Sequence, residues 1–101
     1  MQYVLLERTH ELEDEPVYVY SELDERRCET HRVEFYRGGL CFAYGEERGG
    51  CDALSPEPFP EDLRALNRPG EIQARSIPRP LFQEVWNQSA ERPDGFMGMF
   101  F

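Results

Sequence analysis

The amino-acid sequence predicts an α+β domain, in which an antiparallel sheet of four to five strands carries a C-terminal helix packed on one face. Three observations lead to this prediction. Short runs of β-branched and aromatic residues alternate with turn residues from residue 3 to residue 77. Two adjacent glycines, Gly38 and Gly39, separate two of these runs. Apolar residues recur at helical spacing near the C-terminus, between Leu81 and Gln88.

The first three predicted strands are residues 3–10, 17–20 and 27–36. In the second strand, Val17 and Val19 point to one face of the sheet, whereas Tyr18 and Tyr20 point to the other. The acidic segment 21–25, between the second and third strands, is predicted to form a turn or a short helical turn.

The Gly38-Gly39 pair predicts a two-residue hairpin turn, because both glycines can adopt a positive φ. The returning strand is residues 40–44. The proline-rich segment 46–60 interrupts both strand and helix and is predicted to be a loop. A short helix from Pro60 to Leu66 follows, and residues 71–77 supply a fifth strand.

The C-terminal helix is expected to cover the sheet through one apolar stripe, formed by Leu81, Phe82, Val85 and Trp86. Trp86 is interpreted as a core anchor rather than a binding residue. The tail 93–101 is rich in large apolar residues, especially from Phe96 to Phe101. It either packs back onto the domain or contacts a partner or a second copy, so we expect a monomer or a weak homodimer.

The composition indicates one acidic domain spanning residues 1–101. Acidic residues outnumber basic ones by 20 to 11, and the net charge is −9. Phosphates and anionic lipids both require clustered basic side chains, so we expect neither nucleic-acid nor membrane binding. A basic protein is the natural electrostatic partner, although the charge could also serve solubility alone.

Carboxylates cluster on both sides of the second predicted strand, which favours a broad acidic face rather than a single pocket. Tyr18 and Tyr20 lie between the clusters and are possible aromatic anchors, with core packing against a helix as the alternative. The segment from Glu11 to Glu15 has the clearest potential for partner binding. The candidate partner-binding residues are Glu11, Glu13, Asp14, Glu15, Glu22, Asp24 and Glu25.

The cysteines indicate a reduced protein. Cys28, Cys41 and Cys51 are odd in number and form no CxxC pair, which excludes a complete disulfide framework. The N-terminus has no basic region followed by an apolar run, as a signal peptide would, and no long apolar segment follows. We therefore expect a cytoplasmic protein.

Two histidines, His10 and His31, are the remaining candidates for site chemistry. They would approach each other if the first and third strands were neighbours, and with a cysteine they would then form part of a zinc site. No ligand pair has the local spacing typical of such a site, so half-buried or surface histidines are the preferred interpretation. The sequence offers no recognisable catalytic constellation, and we expect no enzyme activity, metal or cofactor.

A set of residues spread over most of the chain carries a resemblance to known sequences. They are His10, Asp14 to Val17, Tyr20 to Asp24, Val33 to Tyr36, Gly38, Ile77, Phe82 and Trp86. In these residues the sequence resembles a small, uncharacterised bacterial domain family over residues 10 to 90, but not in the C-terminal tail. Members of that family are associated with polymorphic toxins, and the resemblance implies an immunity role.

Two function hypotheses follow. The leading one is an immunity-type inhibitor that masks a basic toxin, for example a nuclease, through its acidic surface. The alternative is a small ligand-sensing or adaptor domain with a pocket between sheet and helix, lined by Tyr18, Tyr20 and Trp86.

Overall fold

A computed structural model describes residues 1–90, and the predicted apolar tail at 93–101, including Phe96–Phe101, lies outside the described residues. Five strands and one α-helix follow one another along the chain. They are β1 (Gln2–Arg8), β2 (Tyr18–Leu23), β3 (Glu29–Phe35), β4 (Cys41–Tyr44), β5 (Ile72–Ser76) and α1 (Arg79–Ala90), with one turn of 3₁₀ helix at Leu63–Leu66 before β5. No helix among residues 1–90 has both the length and the apolar character needed to cross a lipid bilayer.

The strands form one sheet in the order β4-β3-β2-β1-β5, and every neighbouring pair is antiparallel. The α+β prediction is therefore confirmed. The register defines two ends of the sheet. We call the end that carries Arg8, Tyr18 and Phe35 the link end. The end that carries Leu23 and Glu29 is the turn end.

Helix α1 packs on the sheet face that carries Tyr20, which the sequence could not determine. Phe82 packs against Tyr3, Leu5 and Ile77, and Val85 packs against Val33, Cys41 and Ala43. Tyr20 and Trp86 contact both groups and join them into one core. The predicted role of Trp86 in packing agrees with this position.

On the opposite face, the chain after β4 folds back over the sheet, and Arg27 holds it there. The backbone N–H of Phe59 donates to the Arg27 carbonyl at 2.8 Å. The Arg27 guanidinium donates to the carbonyls of Phe59 at 3.2 Å and Pro60 at 2.7 Å, and to the side chain of Gln2. Arg27 itself has a φ of 64°, in the left-handed region that few non-glycine residues adopt.

The outer edge of β5 is covered by the residues that precede it. The N–H and C=O of Ile72 exchange hydrogen bonds with the C=O and N–H of Arg68, each 2.9 Å long. The next outward donor, the N–H of Ala74, donates to the side-chain oxygen of Asn67 at 2.8 Å. Water therefore meets few unpaired backbone groups along this part of the edge.

Two turns differ from their predictions. Strand β2 continues to Leu23, and the turn begins at Asp24, because the predicted turn residue Ser21 is buried between β1 and β3. The predicted two-residue Gly38-Gly39 turn is wrong. Five residues, 36–40, connect β3 and β4. The Tyr36 N–H donates to the Leu40 carbonyl at 2.9 Å, which leaves three residues between this closing pair, and of the two glycines Gly39 has the positive φ, 92°.

Two helices also differ in extent. The predicted helix from Pro60 to Leu66 is a single 3₁₀ turn, Leu63–Leu66, capped by the side chain of Asp62. Helix α1 begins at Arg79 instead of Leu81, and Pro80 fits in its first turn because no intrahelical donor is needed there. Leu81 is 37% exposed and lies at the edge of the predicted apolar stripe.

Candidate functional site

The acidic link, which we define as residues 11–15, lies at the link end and is shaped by His10. The Nε2 of His10 donates to the Pro16 carbonyl at 2.9 Å, and its Nδ1 accepts from the Leu12 N–H at 3.1 Å. A carbonyl can only accept and a backbone N–H can only donate. A neutral imidazole with its proton on Nε2 therefore satisfies both partners.

Three carboxylates of the acidic link face solvent. Glu11, Glu13 and Asp14 are exposed, and none forms an ion pair or a side-chain hydrogen bond with another residue of the described range 1–90. Glu15 differs, because its Oε1 lies 3.6 Å from the guanidinium of Arg8. The link thus presents three negative charges that no ion pair within residues 1–90 compensates.

Tyr18 and Tyr20 point to the same face but have different surroundings. Tyr18 begins β2 three residues after the acidic link, pairs with Phe35 in the register and is 45% exposed. Tyr20 packs in the core, edge-on to Phe35 at 5.8 Å between ring centroids. Burial raises the pKa of the Tyr20 hydroxyl. Of the two possible anchors, Tyr18 is therefore exposed enough to contact a partner. Tyr20 instead packs in the core, which was the alternative role for these residues.

At the turn end, two of the three candidate carboxylates, Glu22 and Asp24, have structural partners. The Oδ1 of Asp24 accepts from the backbone N–H groups of Arg26 at 2.8 Å and Cys28 at 3.0 Å, which fixes the turn. Glu25 is the exposed carboxylate of this turn. The two clusters do lie at opposite ends of β2, as expected, but they do not form equivalent surfaces.

Glu22 is turned toward the protein rather than toward solvent. Its side chain is 16% exposed, and its Oε1 accepts from the Thr30 hydroxyl at 2.8 Å and lies 2.7 Å from the Nδ1 of His31. Burial alone would raise the pKa of this carboxyl, but the hydrogen bonds from Thr30 and His31 outweigh it and hold the pKa below the ordinary value. Glu22 is therefore poorly placed to meet a partner.

The other nitrogen of His31 also faces a carboxylate. Its Nε2 lies 2.8 Å from the Oε2 of Glu47, which belongs to the loop after β4. Both partners of the ring can only accept, so the doubly protonated imidazolium is the form that satisfies both hydrogen bonds. The ring stands edge-on to Trp86, 4.9 Å away.

A second polar cluster lies on the sheet face away from α1, and the sequence interpretation missed it. The Glu29 side chain has no solvent exposure and accepts from the Ser21 hydroxyl at 2.5 Å and the Ser55 N–H at 2.8 Å. Arg32 bridges it to Glu34, with contacts of 2.7 and 3.1 Å. The alternation of Arg32, Glu34 and Tyr36 along one strand face was the available signal.

Tyr36 completes this cluster. Its hydroxyl donates to the Oε1 of Glu34 at 2.9 Å, and burial together with that carboxylate raises the pKa of Tyr36. Two carboxylates therefore share one guanidinium and several neutral donors. This arrangement explains the burial of Glu29 and Glu34 and gives them a structural role.

The described residues contain an open cleft of about 650 Å³ at the turn end, lined on one side by β3 and on the other by the loop of residues 46–56. A smaller cavity of about 110 Å³ lies between sheet and helix. Tyr18 and Tyr20, which were expected to line a pocket there, do not line it. The lining residues are Glu29, Thr30, His31, Glu46, Cys51, Asp52, Leu54, Ser55 and Pro56 for the cleft, and Glu22, His31, Phe82, Gln83 and Trp86 for the cavity.

The histidines and cysteines do not assemble into one site. Strand β2 separates β1 from β3, and His10 follows the link end of β1 whereas His31 lies near the turn end of β3. Cys41 is buried, Cys28 is half-buried and Cys51 is exposed. Within residues 1–90, no group of three or more histidine, cysteine or carboxylate side chains is arranged to hold a metal ion.

Comparison with curated proteins gives no match. Comparison with solved structures gives none either. A family model described as a domain of unknown function, DUF6881, matches residues 2–91, which covers all five strands and α1. The chain therefore belongs to the DUF6881 family.

Proposed function

We propose that this chain is a protein-binding module that docks a basic protein on its acidic link, and that this partner is a toxin which the chain inhibits. The observation that carries the proposal is the exposure of Glu11, Glu13 and Asp14 on a link whose backbone is fixed by His10. A fixed loop loses little conformational entropy on binding, which favours affinity.

Charge supports a basic partner. The net charge is −9, so the field of the whole chain attracts a positively charged protein before contact. Complementary charge of this kind raises association rates and suppresses wrong partners more than it raises affinity. The three link carboxylates would then fix the orientation of the complex.

The surroundings of the link support protein contact. Tyr18 lies three residues after the link and is 45% exposed, with the half-buried Phe35 beside it in the register. A partly exposed aromatic residue with a polar rim is typical of an interface hot spot. Tyr18 would supply contact area, and the carboxylates would supply the rim.

The toxin part of the proposal is supported by small size, acidity and the family resemblance described above. Nuclease toxins have basic clefts that bind phosphates, and link carboxylates could occupy such a cleft in their place. In this role the chain needs no catalytic group of its own, and it acts in the cytoplasm, where the toxin must be neutralised.

Affinity capture from an extract of the source cell, followed by mass spectrometry and kinetics on the purified prey, tests the proposal. The test variant is Glu11→Gln/Glu13→Gln/Asp14→Asn. The matched control is Glu57→Gln/Glu61→Gln/Glu84→Gln, which removes three exposed carboxylates elsewhere. We expect the link variant to associate at least ~10-fold more slowly than the control, with a weaker dependence on salt.

Inhibition completes the test. The wild-type chain should suppress the toxicity of the captured protein in cells, and the link variant should do so less well. Equal association rates for the link variant and the control would contradict docking on the link. A captured partner that is not toxic would contradict the toxin assignment while leaving the docking surface in place.

A second candidate, ligand binding, is favoured by the cleft at the turn end. Its volume of about 650 Å³ is within the range of small-molecule sites, and Glu46 and Asp52 in its lining favour cationic ligands. A thermal-shift screen with amines and guanidines tests this candidate. Stabilisation by such a compound that is lost in Asp52→Asn would favour it over protein docking.

A further inference from the structure

We propose that Glu22, His31 and Glu47 form a proton-dependent latch that holds the loop after β4 against the sheet and sets the negative charge at the mouth of the turn-end cleft. The latch is independent of the acidic link, which lies at the other end of the sheet. Its closed form is the imidazolium bridge, with contacts of 2.7 Å to Glu22 and 2.8 Å to Glu47.

The bridge depends on protonation because both of its carboxylates can only accept. An imidazolium offers an N–H to each carboxylate, whereas a neutral imidazole has one N–H and presents a lone pair to the other partner. When His31 loses a proton, one of the two hydrogen bonds must therefore break. The lone pair then faces a carboxylate oxygen, which is repulsive.

The two carboxylates differ in how readily they can leave. Glu22 has a side chain that is 16% exposed and also holds Thr30, so losing its bond would leave a poorly hydrated charge. Glu47 has a side chain that is 58% exposed, so water can replace its bond to the ring. Deprotonation therefore releases Glu47 and leaves Glu22 bound to His31.

The loop packs closely enough to His31 to respond to this change. A Cβ at Gly45 would overlap with the His31 ring and lie 3.2 Å from Trp86, so only glycine allows this approach. Arg48, the residue after Glu47, is a second anchor of the loop. Its guanidinium stacks 4.1 Å above Trp86 and donates to the Trp86 carbonyl at 2.7 Å. That anchor does not depend on His31, which confines the release to the segment around Glu47.

Charged and titratable groups surround the latch on every element packed against it. Strand β2 contributes Glu22, the loop contributes Arg48 over Trp86, and Tyr3 of β1 hydrogen-bonds Glu22 with Arg79 of α1 nearby. The remaining groups belong to the cleft and are Glu29, Glu46, Cys51 and Asp52.

The release changes the cleft. In the closed form, the charge of Glu47 is compensated by the imidazolium. In the open form, Glu47 is an uncompensated carboxylate next to Glu46, which lines the cleft together with His31 and Asp52. Loss of the His31 proton therefore makes this side of the cleft more negative by one charge and frees one side chain of the loop.

Nuclear magnetic resonance on the whole chain tests the latch. Ring ¹⁵N shifts report the protonation of His31, and amide protection factors, which correct for the intrinsic pH dependence of exchange, report the loop. We expect protection of residues 45–47 to fall about two- to fivefold as His31 deprotonates, the range for a partly exposed ion pair.

Two single-residue variants separate the latch from a general effect of charge. Glu47→Gln offers both a donor and an acceptor, pairs with either form of the ring, and should remove the pH dependence of loop protection. Glu46→Gln makes the same charge change one residue away and should behave as the wild type. Constant protection in the wild type, or an equal fall in Glu47→Gln, would overturn the proposal.

Discussion

The two ends of the sheet carry acidic clusters that look alike in the sequence but differ in what surrounds them. At the link end, Glu11, Glu13 and Asp14 face solvent and make no side-chain contacts within residues 1–90. At the turn end, Asp24 caps a turn and Glu22 holds Thr30 and His31. A run of carboxylates therefore indicates a binding surface only where the fold gives those side chains no hydrogen bond or ion pair within the domain.

The two histidines show the same contrast. His10, at the link end, lies between a carbonyl and a backbone N–H, which suits a neutral ring. His31, toward the turn end, lies between two carboxylates, which suits a charged one. One residue type thus fixes the shape of the acidic link at one end and compensates carboxylate charge at the other.

The largest effect is expected from removing the guanidinium that buried carboxylates share. Arg32→Ala leaves Glu29 and Glu34 without their cation in a site that water barely reaches, and should lower the free energy of unfolding by about 3–5 kcal/mol. Urea denaturation measures this loss. Because Arg37 is exposed, Arg37→Ala is the matched control and should cost under about 1 kcal/mol. Equal losses would show that the shared guanidinium contributes no more to stability than an exposed arginine does.

An intermediate effect is expected from Glu22, and it should depend on pH. Since its folded-state pKa is lowered, its contribution to stability is present above the ordinary carboxyl value and is lost as the pH falls through the folded-state pKa. Glu22→Gln should therefore cost about 1–2 kcal/mol near neutral pH and less in acid. Urea titrations at several pH values check this. A cost that stays constant with pH would contradict the charged hydrogen bonds to Thr30 and His31.

The smallest effect on stability is expected at the link. Glu11→Gln/Glu13→Gln/Asp14→Asn removes three solvated charges from a chain with a net charge of −9, so the free energy of unfolding should change by less than about 0.5 kcal/mol or rise slightly. The same urea denaturation assay measures it. A loss above about 1 kcal/mol would mean that these side chains stabilise the fold, and the contrast between the two ends would fail.

Local patterns in the sequence were sufficient for the fold class. Alternation in Tyr18-Val19-Tyr20 and the helical stripe around Phe82 and Val85 both predicted elements that the structure contains. The predicted end of β2 was wrong because Ser21 pairs with Val4 of β1 and Arg32 of β3 and is buried between these strands. The predicted length of the turn after β3 was wrong because two adjacent glycines do not specify how many residues the turn contains.

Which acidic residues are exposed and which have partners within the domain could not be predicted, since this depends on contacts between separate elements of the chain. Glu22 meets His31 only through the β2–β3 register, and His31 meets Glu47 through a loop that returns from β4. Glu29 is buried beside Ser55, which is far from it in the sequence. A single sequence contains the residues of such clusters but not the register that brings them together.

The covered edge of β5 has a consequence for how this domain meets other chains. Arg68 and Asn67 occupy the outward hydrogen-bonding groups of Ile72 and the N–H of Ala74, so an extended peptide cannot add a strand there without displacing them. The same cover limits edge-to-edge aggregation of the folded domain. At Ile72 and Ala74, contacts with another chain therefore depend on side chains rather than on these backbone groups.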